Sequence, residues 1–61
     1  MKYSELKKLL KKNGCCLKSE GTRHELWYSP KTGRMFTVGR HNTQDVKTGT
    51  LKSILKEAGL E

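Results

Sequence analysis

Tyr3, Leu6, Leu9 and Leu10 fall at i, i+3, i+6 and i+7, and Glu5, Lys7, Lys8, Lys11 and Lys12 fill positions around them. That spacing predicts an amphipathic helix. Ser4 is a candidate early cap, and Asn13-Gly14 supplies the left-handed residue that stops many helices. The expected span is about Ser4 to Asn13. Cys15 to Ser19, bounded by Gly14 and Gly21, reads as a short strand on context as much as on propensity. His24 to Ser29 alternates more plainly, with Leu26 and Tyr28 on one face and Glu25 and Trp27 on the other. In Arg34 to Val38, Phe36 and Val38 are in phase, and Ser29-Pro30-Lys31-Thr32-Gly33 between the two is a hairpin turn. These two strands are expected to pair antiparallel. Gly39 to Gly49 has little periodicity and reads as a connection, turn-like over Asn42-Thr43-Gln44-Asp45 and anchored by one aliphatic residue, Val46. A second helix follows: Thr50 stands at an N-cap position before the stripe Leu51, Ile54, Leu55 and Ala58, and Gly59 ends it with Leu60 folding back.

Helix, three strands, helix is the order of a two-layer α+β domain resembling double-stranded-RNA-binding domains: a three-stranded antiparallel sheet with both helices on one face. One domain is expected over residues 1–61. In this reading the helices cover Leu17, Leu26, Phe36 and Val38, while Trp27 and Met35 lie on the open face, where a partner could meet them.

Charge narrows the partner. Thirteen Lys and Arg against six Asp and Glu give a formal net charge of +7, which on a chain this short points to a polyanion: RNA, DNA or an acidic protein. Apolar runs are only two or three residues long, too short to cross a bilayer. Met1 to Leu6 has no apolar core of signal-peptide length, so the cytoplasm is the expected compartment. Cys15 and Cys16 are neighbours that could bridge only through a strained ring, so reduced, partly buried thiols are expected. His24 and His41 are not spaced with these cysteines as zinc ligands, and neither metal nor cofactor is expected.

Catalytic chemistry has few places to sit. There is no phosphate-binding glycine loop, no supportable Ser-His-Asp trio, and the six acids are scattered. Histidine is the side chain whose ordinary pKa lies near neutrality, and His24 follows Gly21-Thr22-Arg23 at the entrance to the second strand. Taken alone it is an edge histidine without a task. Amid Arg23, Arg40 and the lysines it could move a proton at a phosphodiester that those cations hold. RNA brings its own nucleophile, the ribose 2′-hydroxyl, so the reaction demands proton transfer and charge stabilisation only. His41, in Gly39-Arg40-His41-Asn42, orders its loop or touches RNA, with an acid–base partnership with His24 as the bolder alternative. The lysine rows of the first helix, Lys7 with Lys11 and Lys8 with Lys12, are either a solvated face or phosphate contacts.

These segments together resemble the HicA (YcfA-like) family of mRNA interferase toxins. The likeness covers nearly the whole chain. It is carried by the Lys-rich opening helix ending in Asn13-Gly14, by Gly21-Thr22-Arg23-His24, by Thr37-Val38 leading into Arg40-His41, and by the stretch from Lys47-Thr48-Gly49-Thr50 through Ala58-Gly59-Leu60. The resemblance implies a ribonuclease that cuts mRNA without a metal and arrests translation, and a HicB-type antitoxin protein that covers the active site. It implies His24 as the catalytic residue, the end of a Gly-Ser/Thr-x-His motif. Arg23, Arg40, His41, Lys47 and Lys52 are then the expected RNA-binding residues. Arg23 stands where many members have a second histidine, and Gly39 where a proline is common. Two other readings fit the composition: an RNA-binding module that never cuts, and a small regulatory protein whose basic face recognises an acidic partner.

Overall fold

The computed structural model describes all 61 residues. They form α1 (Tyr3–Lys12), β1 (Cys16–Glu20), β2 (His24–Ser29), β3 (Arg34–Gly39) and α2 (Thr48–Ala58). The sheet is a meander in the order β1-β2-β3, antiparallel at both junctions. Both helices lie over one face of it, where Leu6 and Leu10 of α1 and Ile54 and Ala58 of α2 join Trp27, Phe36, Val38, Cys15 and Val46 in a single core. Element order, class and topology agree with the sequence reading.

The phase of β2 does not. Trp27 is 1% exposed and pairs across the sheet with Phe36, while Glu25 pairs with Val38, so the odd-numbered residues of β2 face the helices. Leu26, opposite Thr37, is only half-buried, and Leu17 is 39% exposed, so neither joins the covered set expected of them. Trp27 belongs to the core rather than to the open face, and only Met35, 56% exposed, lies open as expected. A one-residue shift in phase exchanges the two faces of a strand, and three bonds decide it here. Glu25 is met by Lys7 at 3.1 Å and by the indole N–H of Trp27 at 3.0 Å, and the Ser29 hydroxyl donates to the Ala58 carbonyl at 2.6 Å. Partnered in this way, two polar residues enter the covered face without leaving an unmet buried group.

Helix boundaries also move slightly. α1 is capped from Lys2, whose backbone N–H donates to Glu5 Oε1 at 2.9 Å, and Ser4 is inside the first turn. The Tyr3 and Ser4 N–H groups donate to the carbonyls of Gln44 and Asn42, so the 42–46 connection satisfies the start of α1. α2 starts at Thr48 with Lys47 in the capping position, three residues before the expected cap Thr50. Its end is as expected: Gly59 has φ +79°, and the Leu60 N–H reaches back to the Leu55 carbonyl at 2.9 Å.

These contacts fix which ends meet. The end of α2 is tied to Ser29 and Thr32, and Gly14, just past α1, stands beside Pro30. Both helices therefore finish at the β2–β3 hairpin and begin at the opposite end of the domain, where β2 starts and β3 ends.

Candidate functional site

That opposite end is where the chain gathers its candidate chemistry. The turn from Gly21 to His24 is tight: the Gly21 N–H donates to the His24 carbonyl at 2.8 Å, and a Cβ on residue 21 would stand 3.0 Å from that oxygen. A side chain there would force the turn open. The Gly21 carbonyl in turn accepts from Arg40 Nη1 at 2.7 Å, and the Arg40 N–H points to the Arg23 carbonyl at 3.4 Å. Arg40 thus clasps the β1–β2 turn to the end of β3. His24, the first residue of β2, is held through its backbone, its carbonyl accepting from the clasped Gly21, while it remains exposed.

His24 pairs across the sheet with Gly39. The Tyr3 ring of α1 lies against Gly39, 3.2 Å from where a Cβ would stand, so glycine here makes room for the ring. Paired Cα atoms stand about 5 Å apart and two residues of chain reach about 7 Å. The backbone of His41 therefore lies within about 12 Å of that of His24.

Arg23, His24, Arg40 and His41 are all exposed at this end, and Lys47 joins them at the start of α2. Neither ion pair of the domain, Lys7–Glu25 or Arg34–Glu57, uses any of these cations. The first turn of α2 has no acidic residue and no side-chain cap, so its N-terminal dipole adds to the positive field. Lys52 is set apart. It lies further along α2 and lines a shallow concavity with Ser53, Lys56 and Glu61, towards the hairpin end of the domain. No group of three or more His, Cys, Asp and Glu stands together as a metal site would need, Cys15 and Cys16 are free thiols, buried and exposed respectively, and no helix is long and apolar enough to cross a membrane.

One assembly beneath the site escaped the sequence reading. Lys7 bridges Glu25, the residue after His24, at 3.1 Å and donates to Asn42 Oδ1, the residue after His41, at 2.6 Å. Its signal was present in the sequence. Tyr3, Leu6, Lys7 and Leu10 are the i, i+3, i+4, i+7 stripe of α1, with a lysine in a position normally apolar.

Comparison with curated proteins and with solved structures returns no match. A family model does match: the one described as HicA toxin of bacterial toxin-antitoxin aligns with residues 3–60, spanning every element and every residue of the site just described. The chain therefore belongs to the HicA toxin family of bacterial toxin–antitoxin systems.

Proposed function

We propose that this toxin is an endoribonuclease that cleaves messenger RNA, and so arrests translation, with His24 as the proton-transferring residue. The observation that carries the reading is an exposed imidazole on a clasped, glycine-dependent turn, at an end of the domain whose exposed cations form no ion pair with a carboxylate. Those are the two needs of RNA self-cleavage. The 2′-oxygen bonds to the neighbouring phosphorus as the bond from phosphorus to the 5′-oxygen breaks. A base removes the 2′-hydroxyl proton, an acid protonates the departing 5′-oxygen, and cations stabilise the extra charge on the phosphoryl oxygens. Because the substrate supplies the nucleophile, this route calls for no metal.

Arg23, His41 and Lys47 are proposed to hold the phosphates flanking the cut, with Arg40 doing so while it clasps the turn. Lys52, further along α2, contacts the backbone more remotely. Such contacts carry affinity and not sequence preference. The antitoxin is proposed to be a HicB-type protein that covers this end of the domain, its acidity matched to the toxin's charge. Inducing the wild type and His24→Ala in bacteria at equal protein levels tests the reading. Growth arrest and mRNA loss are expected from the wild type alone. Equal arrest and equal RNA loss from both would remove His24 from the chemistry, and RNA binding without cleavage by the wild type would make the protein a binding module.

A further inference from the structure

The assembly of Lys7, Glu25, Trp27 and Asn42 contains the more buried of the domain's two ion pairs. The Lys7 and Glu25 side chains are 12% and 11% exposed and stand 3.1 Å apart. Removing two charges from water is unfavourable, and an ion pair so placed is weak evidence of a stabilising role. Lys7 interrupts an otherwise apolar stripe, and replacing Lys7 and Glu25 together by apolar residues of similar size would serve the core as well or better. The pair therefore invites an explanation other than stability.

Its connections supply one. Glu25 follows His24, and its Oε1, which meets Lys7, also accepts from the Trp27 indole N–H at 3.0 Å. Lys7 reaches across to Asn42 Oδ1 at 2.6 Å. Asn42 follows His41, and its backbone is held in turn: its N–H donates to the Arg40 carbonyl, and its carbonyl accepts from Ser4. The Gln44 N–H closes a turn on the His41 carbonyl. One ammonium group thus joins the residue after His24 to the residue after His41 across three elements of the chain. We propose that Lys7, Glu25 and Asn42 are positioning residues of the ribonuclease site, which hold the Arg40–Asn42 loop, and with it the bound RNA, in register with His24. The inference rests on the cleavage reading above and adds to it residues that touch neither RNA nor the reacting atoms.

The test uses the full chain as purified protein, a short labelled RNA, and five variants: Asn42→Ala, Lys7→Met, the double variant, Lys7→Arg, and His24→Ala as reference. Asn42→Ala leaves the Lys7–Glu25 pair intact and alters only an exposed loop residue, so it decides the matter even if Lys7→Met does not fold. The expected result is a fall in kcat of about 10- to 100-fold for Asn42→Ala, the scale of a displacement near 1 Å, with KM changed less than about threefold because RNA affinity is spread over many cations. The double variant should be no slower than the slower single one, as for residues acting through one contact. Lys7→Arg should recover most of the rate lost in Lys7→Met. Hydrogen exchange at the Asn42 and Gln44 amides should quicken in Asn42→Ala while that of β2 and β3 does not. Wild-type kcat in Asn42→Ala overturns the proposal, whether or not loop exchange quickens. A His24→Ala protein that cleaves at the wild-type rate brings down the cleavage reading itself, and the positioning role with it.

Discussion

Truncating Trp27 and truncating Leu26 should have very different consequences, although the two are neighbours in one strand and sequence alternation alone ranks them the other way. Trp27 is 1% exposed, pairs with Phe36 and donates its indole N–H to Glu25. Its replacement by alanine removes the largest side chain of the core, a change that costs about 3–5 kcal/mol. It also removes one of the two donors to Glu25 Oε1, which keeps Lys7, for about 0.5–1.5 kcal/mol more. The whole domain of 61 residues has about 3–9 kcal/mol to lose, so Trp27→Ala is expected to be largely unfolded. Leu26 is half-buried on the face away from the helices, and its truncation should cost about 1 kcal/mol, a fraction of full aliphatic burial. Trp27→Phe, which keeps a ring but loses the N–H, should fall between them at about 1–3 kcal/mol. Urea unfolding followed by far-UV circular dichroism, in a His24→Ala background that can be expressed safely, measures all three. Because Trp27 is the only tryptophan, its emission provides a second check: it should be blue-shifted and resist iodide quenching in the folded state. A Leu26→Ala protein as damaged as Trp27→Ala, or a tryptophan freely quenched in the native protein, would refute the assigned phase of the sheet and the core built on it.

Other substitutions probe separate contacts. Arg40→Met removes the clasp on the Gly21 carbonyl and should lower stability by about 1–2 kcal/mol, as for a charge-assisted hydrogen bond, while reducing RNA cleavage at least tenfold; thermal melting and cleavage assays separate the two effects. Gly59→Ala places a Cβ 2.9 Å from Thr32 Cγ2 at φ +79°, whereas Gly33→Ala has φ +69° and open space around it. Gly33→Ala should therefore cost about 1–2 kcal/mol of backbone strain and Gly59→Ala measurably more, in the same urea titration. Lys47→Ala and Lys52→Ala should each lower the salt dependence of RNA binding by about 0.7 in log–log slope for single-stranded RNA, measured by fluorescence anisotropy with the inactive His24→Ala protein. An unchanged slope would take that lysine off the RNA.

Periodicity alone was enough for element order and for the ends that glycine and proline mark. The His24 to Ser29 strand and the Gly59 stop follow directly from residues whose backbone preferences are local. Local preference did not determine which face of β2 turns inward. Leu26 and Tyr28 look like the buried pair, and Glu25 and Ser29 are acceptable inside only because Lys7 and the Ala58 carbonyl, 18 and 29 residues away in sequence, satisfy them. The start of α2 differs from the expectation for a related reason. Thr50 is the better capping side chain, yet the helix begins at Thr48 without any side-chain cap, its first internal bond running from the Leu51 N–H to the Lys47 carbonyl. At the site, His24 and its cationic neighbours could be read from residue type and the glycine turn. The clasp by Arg40 and the link through Lys7 are long-range hydrogen bonds, and only the intrusion of a lysine into the apolar stripe of α1 hinted at one of them.

The account depends most on His24 moving a proton while RNA attacks itself. Purified wild type and His24→Ala, incubated in EDTA with an end-labelled RNA and with the same RNA carrying one 2′-deoxy residue at the cleavage position, test this in a single experiment. The wild type should cut the all-ribose strand to a 2′,3′-cyclic phosphate and a 5′-hydroxyl, leave the deoxy position intact, and outpace His24→Ala by at least a hundredfold. Cleavage at the deoxy position, or equal rates for the two proteins, would contradict it.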